Sequence, residues 1–198
     1  RAYARALRHD RFRAGLGESV PAMTINMACG SGLRAIDLAF RAVRDGDAQA
    51  VVAGGTESMS RVPYYLTRAR WGAKMGAQEV TDGMYKDGFA CPLADMLMGE
   101  TAERLAEIHS ISREEQDEFA LRSQKRAALA QAEGRFDSQI VPVEVAQGKT
   151  TVTITRDEHL RPDSSIEGLK KLATVFKKTG GTVTAGNSSG ITDGAAAV

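Results

Sequence analysis

Hydrophobic and polar positions along residues 20–55 follow two different periods. Residues 20–28, VPAMTINMA, are mostly apolar and predict a strand that begins at Pro21, where a missing N–H is tolerated. The next apolar positions recur at spacings of three, four and three, which predicts an amphipathic helix: Leu33, Ile36, Phe40 and Val43. The polar run RDGD at 44–47 ends this helix, and residues 48–55 predict a buried strand. Together these elements predict a βαβ-like unit of about 35 residues.

Three further helices are predicted from period and capping signals. Residues 1–14 have a helical pattern with five arginines against one aspartate, which indicates a solvated basic face. Residues 99–109 predict a second helix. A capping-box pair, Ser112 with Glu115, begins a longer one that runs to Gly134.

Residues 60–98 contain scattered Gly, Pro, Met and aromatic side chains with no clear period. A stretch of this length inside a compact protein is usually functional or covers a partner. Farther along, residues 138–145 and 150–158 predict the two strands of a hairpin joined by AQGK.

The end of the chain contains a short helix signal and a glycine-rich segment. Ser164 with Glu167 is expected to cap a helix that runs through Leu172. Residues 181–198 predict a strand, a polar Gly/Ser loop and a return to apolar core.

The composition is that of an ordinary globular protein, with 198 residues, 42% of them hydrophobic and 26% charged, enough for one or two domains. A net charge of +1 gives no reason to expect a nucleic acid or a membrane surface as partner. Two cysteines do not make a disulfide framework, so a cytoplasmic location is expected. No transmembrane or signal segment is evident. The chain begins without methionine and ends in the apolar segment ITDGAAAV, so we expect a fragment of a longer protein.

Cys29 is the leading candidate for chemistry. It lies between the predicted strand and the predicted helix, and a thiol at a helix N-terminus faces free N–H groups and the positive end of the dipole. Both favour the nucleophilic thiolate, and the same N–H groups can stabilise an oxyanion. Gly30 and Gly32 are expected to permit the sharp turn and a close approach of substrate. The residues alone leave a second interpretation open, in which Cys29 is a small buried side chain packed at a crowded turn.

No convincing general base accompanies Cys29. Of the three histidines, His9 lies in the basic helix, His109 ends another helix, and His159 lies in a polar loop. Cys91 is interpreted as a packing residue of a loop. No His/Cys cluster has ligand spacing, so no metal is expected. The glycine-rich segments match neither of the common phosphate-binding patterns.

Four segments, in order and at the expected spacings, resemble the thiolase family, the acyl-CoA C-acyltransferases: NMACGSGLRAI, VVAGGTESMS, MGETAERLAEIHSISREEQDEFALRSQ and GTVTAGNSSGITDGAAAV. The resemblance implies an α/β, thiolase-like fold. Residues 1–60 are implied to be an incomplete N-terminal thiolase domain that lacks its first strand, with residues 184–198 returning to it. Residues 61–183 are implied to be an inserted α+β loop domain that binds CoA. The C-terminal thiolase domain is expected to be absent.

The resemblance implies that Cys29 accepts the acyl group as a thioester, with its own N–H in an oxyanion hole. The implied reaction is reversible: 3-ketoacyl-CoA is cleaved by CoA, or acetyl-CoA is condensed, in fatty-acid metabolism and β-oxidation. CoA is a substrate, and no cofactor is expected. The full-length enzyme is expected to be a homodimer or homotetramer, with no nucleic acid and no membrane as partner.

The resemblance also implies a set of side chains that contact CoA or its acyl chain. Ser189 is implied to lie beside the pantetheine arm, and Arg161 near the adenine. The others are implied to line the CoA tunnel or the acyl path: Ala185, Ser188, Ile191, Gln124, Phe176, Met98 and Phe89.

Two positions depart from the pattern of the family. Leu97 stands where short-chain biosynthetic thiolases carry a histidine, which favours longer or more varied acyl chains, and Gly168 stands where some members have a serine near CoA. The activating histidine and the second cysteine of the family lie in the absent half, so the chain alone is expected to be inactive.

Two alternatives are kept. One is a condensing enzyme of the ketoacyl-synthase type, against which residues 99–124 of the loop domain argue. The other is a non-catalytic, thiolase-like lipid-binding protein, against which the intact ACGSG motif at 28–32 argues.

Overall fold

The computed structural model describes residues 12–198. Most of the predicted basic helix, residues 1–14, and His9 with it, lies outside the described residues. The chain forms two compact units: the described residues up to Ser60 together with Asp193–Val198, and Arg61–Thr192.

Between residues 14 and 60 the first unit contains the helix α1 (Ser31–Arg44) and the strand β1 (Gly54–Ser58), and its last segment contains the strand β8 (Asp193–Ala197). The two strands pair antiparallel, with Thr56 opposite Ala195. Two backbone hydrogen bonds between Ala53 and Val198, of 2.9 and 2.8 Å, extend this ladder by one residue pair. The predicted return of the chain end to the first unit is therefore a strand.

Helix α1 confirms the predicted amphipathic helix and ends at Arg44 with Asp45 as its C-cap, as the RDGD run indicated. Asp37 pairs with Arg34 and Arg41, three and four residues away. The hydrogen bond from Arg41 is the main reason why the pKa of Asp37 is lowered. The predicted apolar stripe is exposed in this chain, with Leu33 76% and Phe40 62% accessible.

The predicted strand at residues 20–28 and the βαβ-like unit are wrong. Residues 21–26 have no assigned secondary structure, and among the described residues β1 pairs only with β8, antiparallel. A strand needs a neighbour for its backbone hydrogen bonds, and an apolar run cannot indicate where that neighbour is. The predicted burial of residues 48–55 is also wrong except at Ala53, since Val52 is 79% exposed.

The second unit contains three helices and six other strands. The helices are α2 (Met98–His109), α3 (Arg113–Ala132) and α4 (Ile166–Lys170). The strands form three antiparallel pairs: β2 (Tyr64–Tyr65) with β3 (Thr81–Asp82), β4 (Ala90–Cys91) with β5 (Met96–Leu97), and β6 (Val143–Gln147) with β7 (Thr150–Ile154). Residues 60–97 hold only two-residue strands and short helical turns, which agrees with their lack of sequence period.

The predicted helices and hairpin of the second unit are confirmed with small shifts. The capping box of α3 is complete: the Ser112 hydroxyl accepts from the Glu115 N–H at 3.1 Å, and the Ser112 N–H donates to Glu115 Oε2 at 2.7 Å. Hairpin β6–β7 closes through a two-residue turn in which Gly148 has a φ of +62°, a left-handed conformation that favours glycine.

Two predictions near the end of the second unit need correction. Helix α4 is capped by Ser165, whose hydroxyl accepts from the Gly168 N–H at 3.1 Å, and not by Ser164. The Ser164 hydroxyl instead donates to the Arg161 carbonyl at 2.8 Å and so closes the turn that precedes the helix. The strand predicted at residue 181 onward is reduced to a single bridge between Thr174 and Thr184.

No helix within residues 12–198 is long and apolar enough to cross a membrane.

Candidate active site

The turn that carries Cys29 is held by hydrogen bonds of its neighbours. The Gly30 N–H donates to the Met27 carbonyl at 3.0 Å, and the Ser31 N–H donates to the Ala28 carbonyl at 3.1 Å. The Ser31 hydroxyl closes the same turn, since it accepts from the Met27 N–H at 2.9 Å and donates to the Ala28 carbonyl at 2.7 Å. The Cys29 thiol is free and exposed, so in this chain it is not the buried packing residue of the second interpretation.

Ala28, directly before Cys29, has a φ of +48°. A non-glycine residue in this left-handed region costs about 1–3 kcal/mol, and such residues concentrate at functional sites. Gly30 has a φ of −83°, and Gly32 lies inside α1 without positive φ, so neither glycine is required by a left-handed backbone. A Cβ at Gly30 would lie 3.3 Å from the Met27 carbonyl oxygen, which agrees with the predicted role of Gly30 in a tight turn, whereas nothing lies within 4 Å of a Cβ at Gly32. The Asn26 side chain supports the strained residue by accepting the Ala28 N–H at 2.9 Å.

Helix α1 begins immediately after Cys29. Its N-cap is Gly30, so no side chain caps the N–H groups of the first turn, and the first turn contains no acidic residue. Uncapped N–H groups at a helix N-terminus are donors for a negatively charged oxygen. An exposed thiol beside such donors has the parts needed for acyl transfer except a general base.

The described part of the first unit contains no histidine, because His109 and His159 belong to the second unit. It therefore offers no imidazole as a base for Cys29. Within residues 12–198 no group of three or more His, Cys, Asp or Glu side chains could hold a metal ion.

Three of the predicted CoA contacts lie on neighbouring segments of the second unit. The Arg161 N–H donates to Gln124 Oε1 at 3.0 Å, which ties the loop before α4 to the middle of α3. His159, two residues before Arg161, lies against Gly190, where a Cβ would overlap the imidazole. Ser189 is the neighbour of Gly190, so the segments that carry Gln124, Arg161 and Ser189 converge.

A second group of predicted contacts meets at the start of α2. The Phe176 ring lies directly over Gly99, which follows Met98, and a Cβ at Gly99 would overlap it. Phe89 lies apart in the helical turn Met84–Phe89, where its ring contacts Tyr85 edge to face at 5.7 Å. Four predicted contacts are solvent-exposed on the loop after Thr184: Ala185, Ser188, Ser189 and Ile191.

A buried polar cluster that the sequence analysis missed fixes this loop. Asp117 on α3 is 0% exposed and accepts from Arg113 Nε at 2.8 Å and from Asn187 Nδ2 at 3.0 Å. Asn187 Oδ1 in turn accepts from the Thr184 N–H at 2.7 Å. The Ser188 hydroxyl donates to the Thr184 carbonyl at 2.7 Å. The polar cluster thus joins α3 to the residues on either side of Ala185.

Glu103 on α2 holds the beginning of the same segment. Its carboxylate accepts from the Thr182 and Val183 N–H groups, each at 2.9 Å, and from the Thr182 hydroxyl at 2.8 Å. Burial acts to raise the pKa of Glu103, but these hydrogen bonds outweigh it and leave that pKa lowered. The sequence did carry a signal for this contact. Glu103 lies three residues before Ala106, so both share the buried face of α2, and a carboxylate on a buried face needs hydrogen-bond donors.

A family model described as "Thiolase, N-terminal domain" matches residues 2–198. The chain belongs to the thiolase family. This match favours the thiolase interpretation over the ketoacyl-synthase alternative.

Curated thiolase relatives are similar along almost the whole chain. A protein named "Probable acetyl-CoA acyltransferase" from Staphylococcus epidermidis is 51% identical over 188 residues, which are 94% of this chain and 48% of that protein. One of the same name from Staphylococcus aureus is 50% identical over 186 residues, 93% of this chain and 47% of that protein. The chain thus spans about half the length of the curated relatives that it matches.

Solved structures confirm the predicted thiolase-like fold. Human mitochondrial 3-ketoacyl-CoA thiolase superposes with a TM-score of 0.88 and 42% identity, over 96% of this chain and 48% of that chain. Acetyl-CoA acetyltransferase from Syntrophomonas wolfei gives a TM-score of 0.89 at 42% identity over the same shares. The human enzyme has also been solved in complex with CoA, with a TM-score of 0.86, 43% identity and shares of 96% and 47%.

Proposed function

We propose that this thiolase chain carries the acyl-accepting cysteine and the CoA-binding unit of an acyl-CoA C-acyltransferase. The observation that carries the proposal is Cys29 itself: an exposed free thiol between a left-handed residue, Ala28, and the uncapped start of α1. Relatives named acetyl-CoA acyltransferase support the reaction class.

In the cleavage direction the Cys29 thiolate attacks the 3-keto carbon of a 3-ketoacyl-CoA. A C–S bond forms, and the carbon–carbon bond to the CoA-bearing fragment breaks. That fragment leaves as a carbanion, takes up a proton and becomes acetyl-CoA. The thiolate of a second CoA then attacks the acyl-Cys29 thioester, and acyl-CoA leaves with Cys29 restored. The backbone N–H of Cys29, which the resemblance to thiolases assigns to an oxyanion hole, stabilises the oxyanion of each tetrahedral intermediate.

The proton transfers need groups that are not seen beside Cys29 in the described part of the first unit. The described part of the first unit has no histidine, and the resemblance to thiolases assigns the activating histidine and the second cysteine to the other half of the enzyme. Acyl transfer therefore belongs to the full-length protein.

The second unit binds CoA in this proposal. The converging segments with Gln124, Arg161 and Ser189 support it, as does the CoA complex of the human relative. CoA is a substrate in this proposal, because thiolysis consumes it and forms acyl-CoA, and the proposal includes no cofactor.

The proposal extends to a homo-oligomeric, cytoplasmic enzyme of fatty-acid metabolism that acts in β-oxidation. Large apolar side chains exposed in residues 61–98 support assembly, among them Trp71 and Leu93. Light scattering of the purified full-length protein measures the oligomeric state.

The test of the function is a covalent adduct. Full-length protein is incubated with acetyl-CoA, digested and analysed by mass spectrometry, and an acetyl group is expected on the peptide that contains Cys29. Cys29→Ser is expected to abolish both the adduct and thiolysis, whereas the matched control Cys91→Ser keeps both. An adduct on another residue, or none, would defeat the assignment.

A further inference from the structure

Four of the five backbone N–H groups in residues 27–31 have an acceptor close by. The Met27 and Ala28 N–H groups donate to side-chain oxygens, each at 2.9 Å. The Gly30 and Ser31 N–H groups donate to carbonyls of the same turn at 3.0 and 3.1 Å. For the Cys29 N–H no acceptor is seen in the described part of the chain. The turn therefore presents this N–H, beside the thiol, as a donor for another molecule.

The direction of the Cys29 N–H follows from the Ala28 carbonyl, because a trans peptide is planar and its N–H points opposite to its C=O. That carbonyl accepts from the Ser31 N–H at 3.1 Å and from the Ser31 hydroxyl at 2.7 Å. With the carbonyl turned toward Ser31, the Cys29 N–H points away from it. The two hydrogen bonds of Ser31 thus fix the orientation of the peptide between Ala28 and Cys29.

Asn26 fixes Ala28 from the other side. Its Oδ1 accepts the Ala28 N–H at 2.9 Å, which is an Asx turn, in which an Asn or Asp side chain binds the backbone two residues on. The Ser31 hydroxyl adds a contact to the Met27 N–H at 2.9 Å. A left-handed φ, here +48°, is unfavourable for alanine. Without these side chains, residue 28 is expected to leave this conformation and to rotate the peptide that carries the Cys29 N–H.

We propose that Asn26 and Ser31 are positioning residues for acyl transfer: they hold the Ala28–Cys29 peptide so that the Cys29 N–H faces the carbonyl oxygen of the substrate. This inference rests on the proposed function. The Cys29 N–H then acts on the negative charge that develops on that oxygen in the transition state. A reaction of the thiol that forms no oxyanion does not need this donor.

The experiment compares two reactions of Cys29 in the full-length protein, acetylation by acetyl-CoA and alkylation by iodoacetamide, each followed on the Cys29 peptide by mass spectrometry. Acetylation passes through a tetrahedral oxyanion, whereas alkylation displaces iodide from a CH2 carbon and forms none. Asn26→Ala and Ser31→Ala are each expected to slow acetylation by about three- to tenfold, as the loss of a hydrogen bond permits, with alkylation unchanged. The control Thr24→Ala, an exposed position of the same segment, is expected to keep both rates.

Ala28→Gly tests how Asn26 acts. Glycine adopts a left-handed φ without strain, so Asn26→Ala is expected to slow acetylation less in the Ala28→Gly background than in wild type. An equal loss in both backgrounds overturns the inference, as does unchanged acetylation in Asn26→Ala and Ser31→Ala. Equal slowing of acetylation and alkylation also overturns it, because it indicates a general disturbance of the turn. Absence of an acetyl adduct in wild type would instead refute the proposed function.

Discussion

At Gly99 the chain has no room for a side chain, because the Phe176 ring occupies the position of a Cβ. Gly99→Ala is therefore expected to push this ring away and to lower the free energy of unfolding by about 1–3 kcal/mol. Urea unfolding measures the loss, with Gly88→Ala as control, since nothing lies within 4 Å of a Cβ there. Recovery of stability by Gly99→Ala/Phe176→Leu would identify the ring as the cause. Equal effects of the two alanine variants would contradict it.

Asp117 is expected to matter for CoA binding as well as for stability. Asp117→Asn leaves Arg113 without its carboxylate partner in a buried site, which typically costs about 3–5 kcal/mol. The amide that replaces the carboxylate has one acceptor oxygen for two donors, Arg113 Nε and Asn187 Nδ2, so the contact that anchors the loop with Ser188 and Ser189 to α3 is weakened. We expect a higher KM for CoA with a smaller change in kcat. Glu114→Gln, on the exposed first turn of α3, is the control, and unchanged KM in Asp117→Asn would refute the anchoring role.

The elements that sequence predicted best are those fixed by nearby residues. Helix α3 begins where Ser112 and Glu115 predicted, because both halves of a capping box lie within four residues. The β6–β7 hairpin follows from a two-residue turn that Gly148 permits. The strand predicted at residues 20–28 failed because its hydrogen-bond partners are not encoded in its own apolar pattern.

In the candidate site, too, the feature that the local sequence pattern marks was predictable, and those that depend on particular side-chain contacts were not. The position of Cys29 directly before a helix start was predictable, because the glycine-rich segment and the apolar period that follow it are local features. The left-handed conformation of Ala28 was not predictable, since side-chain size cannot indicate that Asn26 and Ser31 would hold this residue in it. The contact between Asp117 and Asn187 was not predictable, because it joins residues 70 positions apart.

The attachment of α2 to residues 182–183 depends on pH through Glu103. Its pKa in the folded chain is lowered from the ordinary value of 4.5 by backbone hydrogen bonds that outweigh burial. A lowered folded pKa means that the stabilisation is complete above pH 4.5 and is lost as pH falls through the folded value. Glu103→Gln is therefore expected to be less stable than wild type at pH 7, with a smaller difference at lower pH.

Urea unfolding of wild type and Glu103→Gln at several pH values checks this expectation. The exposed control Glu79→Gln is expected to follow wild type throughout, because no hydrogen bond or ion pair of its carboxylate is seen in the described part of the chain. A stability difference for Glu103→Gln that stays constant as pH falls would show that the carboxylate charge is not what holds the segment.

At the scale of the whole molecule, the chain leaves an unusually large surface in contact with water. Its accessible area is 16190 Å², whereas a compact monomer of 198 residues exposes roughly 9,000 Å². Many large apolar side chains contribute to it, including the stripe of α1 and Trp71, which is 87% exposed. Burial of apolar surface is the main force that stabilises a fold, so a chain that buries so little is marginal by itself.

The 198-residue chain produced alone is therefore expected to self-associate and to bind the dye ANS, which reports exposed apolar surface. It is also expected to be inactive in thiolysis, because the described part of the unit that contains Cys29 provides no histidine as base. Analytical ultracentrifugation over a concentration series and ANS fluorescence measure the first property, with the full-length protein as control. Dye binding that is strong in the 198-residue chain and weak in the full-length protein would show that contacts made only in the full-length protein cover this apolar surface. A monodisperse, active monomer without dye binding would contradict both expectations.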